Sequence, residues 1–288
     1  MRQLAPPFVA AALVGSVVST SGVAAQERVD PSVHVPAGYD ADVATPLIVL
    51  LHGYTLSGDA QDGYMGLSAL VDDYGFILAA PDGTRESGPD RNRFWNASNA
   101  CCNFFESTVD DSAYLAGLID RLKADYTIDD RRVYLVGHSN GGFMAYRMAH
   151  DHPDLIAAIA SLAGADQSAG RPAPSGPVHV LQVHGTADTV IAYDGGVFRG
   201  GATHPGARES VEAWAAHDGC AVAGVDSGTL DLDAGLERAE TTVTRFTEGC
   251  RPGGSAELWT IAGGSHGPDL SVHFSRLVLE WLLAHGKP

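Results

Sequence analysis

The apolar run Val133-Tyr134-Leu135-Val136 leads directly into Gly137-His138-Ser139-Asn140-Gly141, and a helical stretch, Phe143-Met144-Ala145-Tyr146-Arg147-Met148-Ala149, follows. A buried strand that enters a helix through G-x-S-x-G is a nucleophile elbow. The turn is so tight that only small residues fit two positions before and after the serine, which accounts for Gly137 and Gly141. It holds a hydroxyl above a sheet at a helix N-terminus, where the helix dipole favours negative charge. The pentapeptide alone is a common pattern; the strand before it and the helix after it make it specific.

The rest of the chain alternates short apolar β-rich runs with helical patterns, the mark of a parallel sheet with crossover helices. Residues 46–51 read as a buried strand ending at His52-Gly53-Tyr54, residues 60–73 as a helix, and residues 76–81 as the next strand. Leu115, Leu118, Ile119 and Leu122 recur at helical spacing behind Asp110 and Asp111. That acidic pair reads as an N-cap and a first-turn charge rather than as catalytic acids. Strands are expected at 156–162, 178–183, 241–246 and 256–261, with helices at 210–217 and 271–284. The segment 221–237 carries little signal. Its Asp231-Leu232-Asp233 lacks the glycine and terminal Glu of a calcium loop and reads as solvated surface.

A serine hydroxyl needs an imidazole to take its proton and a carboxylate to orient that imidazole. On a sheet of this kind the partners follow the serine in the order acid, then histidine, on loops after later strands. The strand ending Leu181-Gln182-Val183 leads into His184-Gly185-Thr186-Ala187-Asp188, which makes Asp188 the candidate acid, with Asp194 further out as the alternative. The last strand runs into Gly263-Gly264-Ser265-His266. Of the twelve histidines, His266 alone combines the right order, the right strand end and a glycine-rich loop. His52, His138 and His184 read as buttresses of their loops. The oxyanion donors are expected to be the backbone N–H groups of Asn140 and Tyr54, each worth roughly 3 kcal/mol in the transition state.

The first residues look like an export signal: Arg2, an apolar run over 8–18, and an A-x-A-like site at Val23-Ala24-Ala25. Residues 1–25 are therefore expected to be removed, leaving 26–288 as a single domain. The apolar run is short for a membrane span and no lipid-anchor cysteine follows it, so a soluble, secreted or periplasmic protein is expected. A net charge of −17 argues against nucleic acid and anionic membrane surfaces as partners. Four cysteines in an exported chain suggest two disulfides. Cys220 and Cys250 are expected to pair, worth roughly 3 kcal/mol through chain entropy. Cys101 and Cys102 either bridge each other or pair elsewhere. No Cys or His pair has zinc-type spacing, and neither metal nor cofactor is called for.

Taken together, these segments resemble a known family. Leu51-His52-Gly53, Pro81-Asp82-Gly83, Phe94-Trp95-Asn96-Ala97 with Cys101-Cys102, Val109-Asp110-Asp111, the elbow, the Asp188 loop and the His266 loop occur in order. They are similar to those of the secreted polyhydroxybutyrate-depolymerase-like and feruloyl-esterase-like α/β-hydrolases, related to carbohydrate esterase family one. The resemblance implies the α/β-hydrolase fold, Ser139 as nucleophile, Asp188 as acid, His266 as base, and the Tyr54 and Asn140 amides as oxyanion hole. It also implies that the Trp95 loop borders the substrate cleft, although Trp95 reads equally as a core aromatic. Trp95 and His138 are the candidate substrate-side residues. Two positions depart from the family pattern: Tyr54 stands where a cysteine is frequent, and Gly267-Pro268-Asp269 follows the histidine where Trp-Pro-Gly is frequent.

The expected activity is hydrolysis of carboxylic esters by a serine esterase. Its substrates are expected among feruloyl or acetyl esters of polysaccharide, or among hydroxyalkanoate or aromatic polyester oligomers. With no appended Thr-rich linker or binding module, soluble or oligomeric esters are expected rather than crystalline granules. An exported peptidase or an acyltransferase would use the same triad, but large peptidases of this fold carry a gating domain that this length does not accommodate. A non-catalytic binding module would be expected to have lost a triad member, and all are present. Acyl and alcohol preference and oligomeric state are left open by the sequence.

Overall fold

The computed structural model describes residues 1, 28, 30–166, 172–198, 201–221 and 223–288; the expected export segment after Met1 lies outside these residues. The first part of the chain runs β1 (Ser32–His34), β2 (Thr45–Leu51), α1 (Gly58–Met65), α2 (Val71–Tyr74) and β3 (Ile77–Ala80). A short hairpin, β4 (Thr84–Arg85) with β5 (Arg93–Phe94), precedes α3 (Asp111–Asp125), β6 (Ile128–His138) and α4 (Asn140–Asp151). Next come β7 (Ala158–Leu162), β8 (His179–Gly185), a second hairpin of β9 (Gly196–Val197) and β10 (Thr203–His204), and α5 (Ala207–His217). The chain closes with β11 (Val225–Leu230), β12 (Thr241–Phe246), β13 (Ser255–Ile261) and α6 (Phe274–Leu283).

Nine strands form one sheet in the order β1-β3-β2-β6-β7-β8-β13-β12-β11. From β3 through β13 each neighbour is parallel, whereas β1 lies antiparallel on β3 and β13, β12 and β11 form an antiparallel meander. This is the mostly parallel, helix-flanked sheet that the sequence leads one to expect.

The pleat of β2 shows how both faces are buried. Leu47, Val49 and Leu51 pack with Leu115, Leu118 and Ile119 of α3 and Phe143 and Met144 of α4. Ile48 and Leu50 face the other way, into a cluster with Met65 of α1 and Val278, Leu279 and Leu282 of α6. Full burial of each such side chain is worth roughly 1.5–3 kcal/mol of transfer free energy. Two-sided burial also explains why these strands read as unbroken apolar runs rather than alternating ones.

Three expectations need correction, and one is borne out with a further detail. The helix expected over 60–73 is broken at Gly66, which takes φ 68° and caps α1 through its N–H to Asp62 O. A 3₁₀ turn at Ser68–Leu70 then leads to α2. As expected, Asp110 caps α3, accepting from Ala113 N at 3.1 Å, and Asp111 lies in its first turn. Asp111 is fully buried and accepts from Thr84 Oγ1, from the backbone N–H of Asn96 and from Arg28. The weak segment before Glu237 contains the edge strand β11, whose residues are mostly exposed and so lack apolar patterning. Finally, Leu232 and Asp233 are buried, their N–H groups held by Glu240 Oε1.

Two disulfides are present, Cys220–Cys250 as expected and the adjacent pair Cys101–Cys102.

Candidate active site

The carboxyl ends of β2, β6, β8 and β13 lie on one edge of the sheet, where parallel α/β sheets gather their functional loops. Ser139 follows β6 with φ 54° and ψ −120°, a backbone conformation that non-glycine residues rarely adopt. The elbow is held open by its glycines. A Cβ on Gly137 would stand 2.2 Å from Gly141 O, and one on Gly141 would stand 2.1 Å from Leu51 O. The Ser139 N–H continues the β6–β7 ladder by donating to Leu162 O at 2.8 Å.

His266 lies between Ser139 and Asp188. Its Nε2 is 2.9 Å from Ser139 Oγ and its Nδ1 2.8 Å from Asp188 Oδ2. The loops that carry the two partners are interlocked. Thr186 N–H donates to Ile261 O, Ala187 N–H donates to Gly264 O, and a Cβ on Gly185 would meet Gly264 O at 2.1 Å. Asp188 Oδ1 accepts from the N–H groups of Val190 and Ile191 at 2.8 and 2.9 Å. Burial alone would raise the pKa of this carboxyl. Hydrogen bonds from His184 and His266, with those backbone donors, outweigh burial and hold it well below the usual carboxylate range. Asp194, the alternative acid, is exposed.

The other motif histidines act as supports. Gln182 Nε2 donates to His184 Nδ1 at 3.1 Å, so His184 carries its proton on Nε2, which faces Ile191 O at 2.8 Å and Asp188 Oδ2 at 3.2 Å. His52 Nε2 accepts from Gly83 N–H at 2.8 Å, leaving Nδ1 to donate to Gly53 O. His138 Nε2 donates to the His266 carbonyl at 2.9 Å, and its ring packs between those of Tyr64 and His266. Burial pushes both His52 and His138 down to about 4, so both rings are neutral at neutral pH.

Tyr54 and Asn140 flank the nucleophile. Asn140 opens α4, where helical geometry leaves the first N–H groups without intrahelical acceptors. Tyr54 sits in the loop after β2, and its N–H has no acceptor among the described residues. Its neighbours are committed: Gly53 N–H donates to the buried Gln61 Oε1 at 3.0 Å and Thr55 N–H to Arg93 O at 2.9 Å. Thr55 takes φ 75°, unusual for a β-branched residue and a sign of imposed backbone strain.

Above Ser139 opens a cavity of about 360 Å³, walled by Tyr54, Leu56, Cys102, Phe104, Val190 and Phe198, with Gly53, Thr55, His138 and His266 around the nucleophile. Phe104 stacks on Phe198 and meets the Tyr54 ring edge-on. His138 is part of this lining. Trp95 is not: it is fully buried, and its Nε1 donates to His52 O at 3.1 Å from beneath the loop. Its backbone is gripped by the Asn140 side chain, whose Oδ1 accepts from Trp95 N–H at 2.6 Å and whose Nδ2 donates to Trp95 O at 3.0 Å. Sequence reasoning also missed Gln61, the aromatic wall at Phe104 and Phe198, and Tyr64, whose hydroxyl donates to Pro268 O at 2.7 Å just past His266.

Residues 46–190 match the family described as alpha/beta hydrolase fold. Feruloyl esterase B of Piromyces equi is 29% identical over 243 residues, covering 81% of this chain and 42% of that protein. Poly(3-hydroxyalkanoate) depolymerase C of Paucimonas lemoignei is 36% identical over 136 residues, covering 46% of this chain and 30% of that protein. The chain thus spans less than half the length of either relative. Among solved structures, acetyl xylan esterase from Aspergillus awamori superposes with a TM-score of 0.61 at 18% identity over 87% of this chain and 92% of that one, a likeness of fold.

Proposed function

The chain belongs to the α/β-hydrolase fold family, and from that premise we propose that it is an exported serine esterase acting on carboxylic esters through Ser139, His266 and Asp188. The observation that carries this reading is the line of hydrogen bonds from Ser139 Oγ to His266 Nε2 at 2.9 Å and from His266 Nδ1 to Asp188 Oδ2 at 2.8 Å. Ser139 Oγ attacks the ester carbonyl as its proton passes to His266 Nε2. Asp188, held ionised, stabilises the imidazolium and fixes which nitrogen faces the serine. The tetrahedral oxyanion is received by the N–H groups of Tyr54 and Asn140. His266 then protonates the departing alkoxide. A water that gives its proton to His266 attacks the acyl-enzyme, and the acid leaves as Ser139 recovers its proton.

The apolar, aromatic wall above Ser139 favours esters with an apolar group beside the carbonyl. The names of the relatives suggest two classes to test, feruloyl esters of polysaccharide, with acetyl esters beside them, and hydroxyalkanoate oligomers. Two disulfides suit an oxidising compartment, in keeping with residues 1–25 as a cleaved export signal.

Turnover of methyl ferulate and of a 3-hydroxybutyrate oligomer by the mature protein, with Ser139→Ala as blank, tests this function. Loss of all measurable turnover in a folded Ser139→Ala protein is expected, and surviving activity would remove the proposed nucleophile. Preference for one ester chooses between the two substrate classes.

A further inference from the structure

The Tyr54 phenol is tied down from below by a group that the mechanism above does not use. Glu86 lies just beyond β4 and is only 4% exposed. Its Oε2 accepts from the Tyr54 hydroxyl at 2.8 Å, and its Oε1 accepts from Asn92 Nδ2 at 3.0 Å. Asn92 Nδ2 also lies 3.3 Å from the Tyr54 oxygen, and Glu86 N–H donates to Asn92 O. No Lys, Arg or His among the described residues forms an ion pair with this carboxylate. A buried carboxylate without a cation is costly, and an apolar residue would serve the core better. Here its lone pairs are spent on one phenol and on the amide that flanks it.

The hairpin of β4 and β5 also supplies Arg93 O, the acceptor for Thr55 N–H, so it grips the 53–56 loop at two adjacent residues. Strain at Thr55 persists only if the surroundings over-determine the loop. With the N–H groups on both sides of Tyr54 already bonded, the phenol tether limits how far the Tyr54 peptide can rotate. The same tether keeps the ring against Phe104, at 5.3 Å between centroids, as a wall of the cavity.

We propose that Glu86 is a positioning residue for catalysis, holding the Tyr54 phenol so that the Tyr54 N–H stays aimed at the oxyanion and the ring stays in the cavity wall. This rests on the reading of Tyr54 as an oxyanion donor. The test is steady-state hydrolysis of 4-nitrophenyl acetate, whose acyl group is too small to need the aromatic wall, by Tyr54→Phe, Glu86→Ala, Glu86→Gln and the Tyr54→Phe/Glu86→Ala double variant. Each of Tyr54→Phe and Glu86→Ala should lower kcat about ten-fold, a part of the loss expected for a missing oxyanion donor, with KM within about two-fold. The double variant should be no worse than the weaker single one, because both remove one tether. Glu86→Gln, which keeps an acceptor for the phenol, should retain more of kcat than Glu86→Ala.

An unchanged kcat in Tyr54→Phe, a variant that loses only one hydroxyl, would overturn the proposal. So would losses that multiply in the double variant, or a change in melting temperature alone. Turnover surviving in Ser139→Ala would instead strike at the underlying reading of the site. The two failures are therefore separable.

Discussion

At the elbow, the Asn140 N–H is held by backbone packed against backbone. Gly137 and Gly141 approach neighbouring carbonyls so closely that an added Cβ would lie 2.1–2.2 Å from them. In the 53–56 loop, backbone bonds from Thr55 N–H to Arg93 O and from Leu56 N–H to Gly53 O are supplemented by side chains around Tyr54: Gln61 below Gly53, Glu86 and Asn92 below the phenol. Even the glycine there is less constrained, since a Cβ on Gly53 would meet its nearest neighbour, His138 Nδ1, at 3.3 Å. One donor is thus fixed by sterics that allow one residue type, the other by hydrogen bonds that several residues could supply. The first is rigid and intolerant, the second adjustable.

The largest expected effect is on the intolerant side. Gly141→Ala should abolish turnover and cost about 3 kcal/mol or more, because the new methyl meets carbonyls of both Leu51 and His52. Thermal melting and turnover measured together check this, and a stable, active variant would erase the distinction between the regions.

Next is Gln61→Leu, which removes the acceptor of Gly53 N–H. Gln61 Nε2 has no partner among the described residues, so an apolar substitute recovers part of the cost in stability. Activity should fall about ten-fold with folding largely kept, within the range that a displaced oxyanion donor allows. If melting temperature falls while kcat holds, the loop is not side-chain-positioned.

The smallest effect is on pH dependence, with one histidine in each region. His52 and His138 are both lowered to about 4 in the folded protein by burial, against about 6.5 when unfolded. Between these values the unfolded chain binds more protons. Their contribution is therefore fully present above pH ~6.5 and is lost as pH falls toward about 4. Urea midpoints should drop from pH 7 to pH 5, and His138→Asn should flatten part of that drop. A drop of unchanged size in His138→Asn would contradict the neutral, buried state of that ring.

What the sequence made legible is what local sterics and strand patterning control. The apolar runs before Gly137, Asp188 and His266 mark strand ends and the glycine spacing marks the elbow, which places residues distant in the chain on one edge of the sheet. What escaped depends on partners without local pattern. Glu86 lies 32 residues from Tyr54, Asn140 lies 45 from Trp95, and Tyr64 lies 204 from Pro268. Trp95 was ambiguous because an aromatic under a loop and one lining a cleft have the same sequence surroundings. Gly66 was a readable helix stop hidden inside a plausible periodicity, and β11 left little trace because an exposed edge strand has no apolar face to repeat.

The interlocked loops of β8 and β13 have a consequence for the order in which the protein comes alive. Ser139 and His266 are 127 residues apart, and His266 reaches the serine only once β13 has paired with β8. As the chain emerges from the ribosome, the elbow can form while the imidazole is still unmade. Until the final crossover docks, Ser139 is an ordinary alcohol. Pairing parallel strands over long separations is slow because loop-closure entropy must be overcome first. The onset of the proposed esterase activity in a refolding experiment should therefore coincide with completion of the sheet, and the fold carries its own clock for its last step.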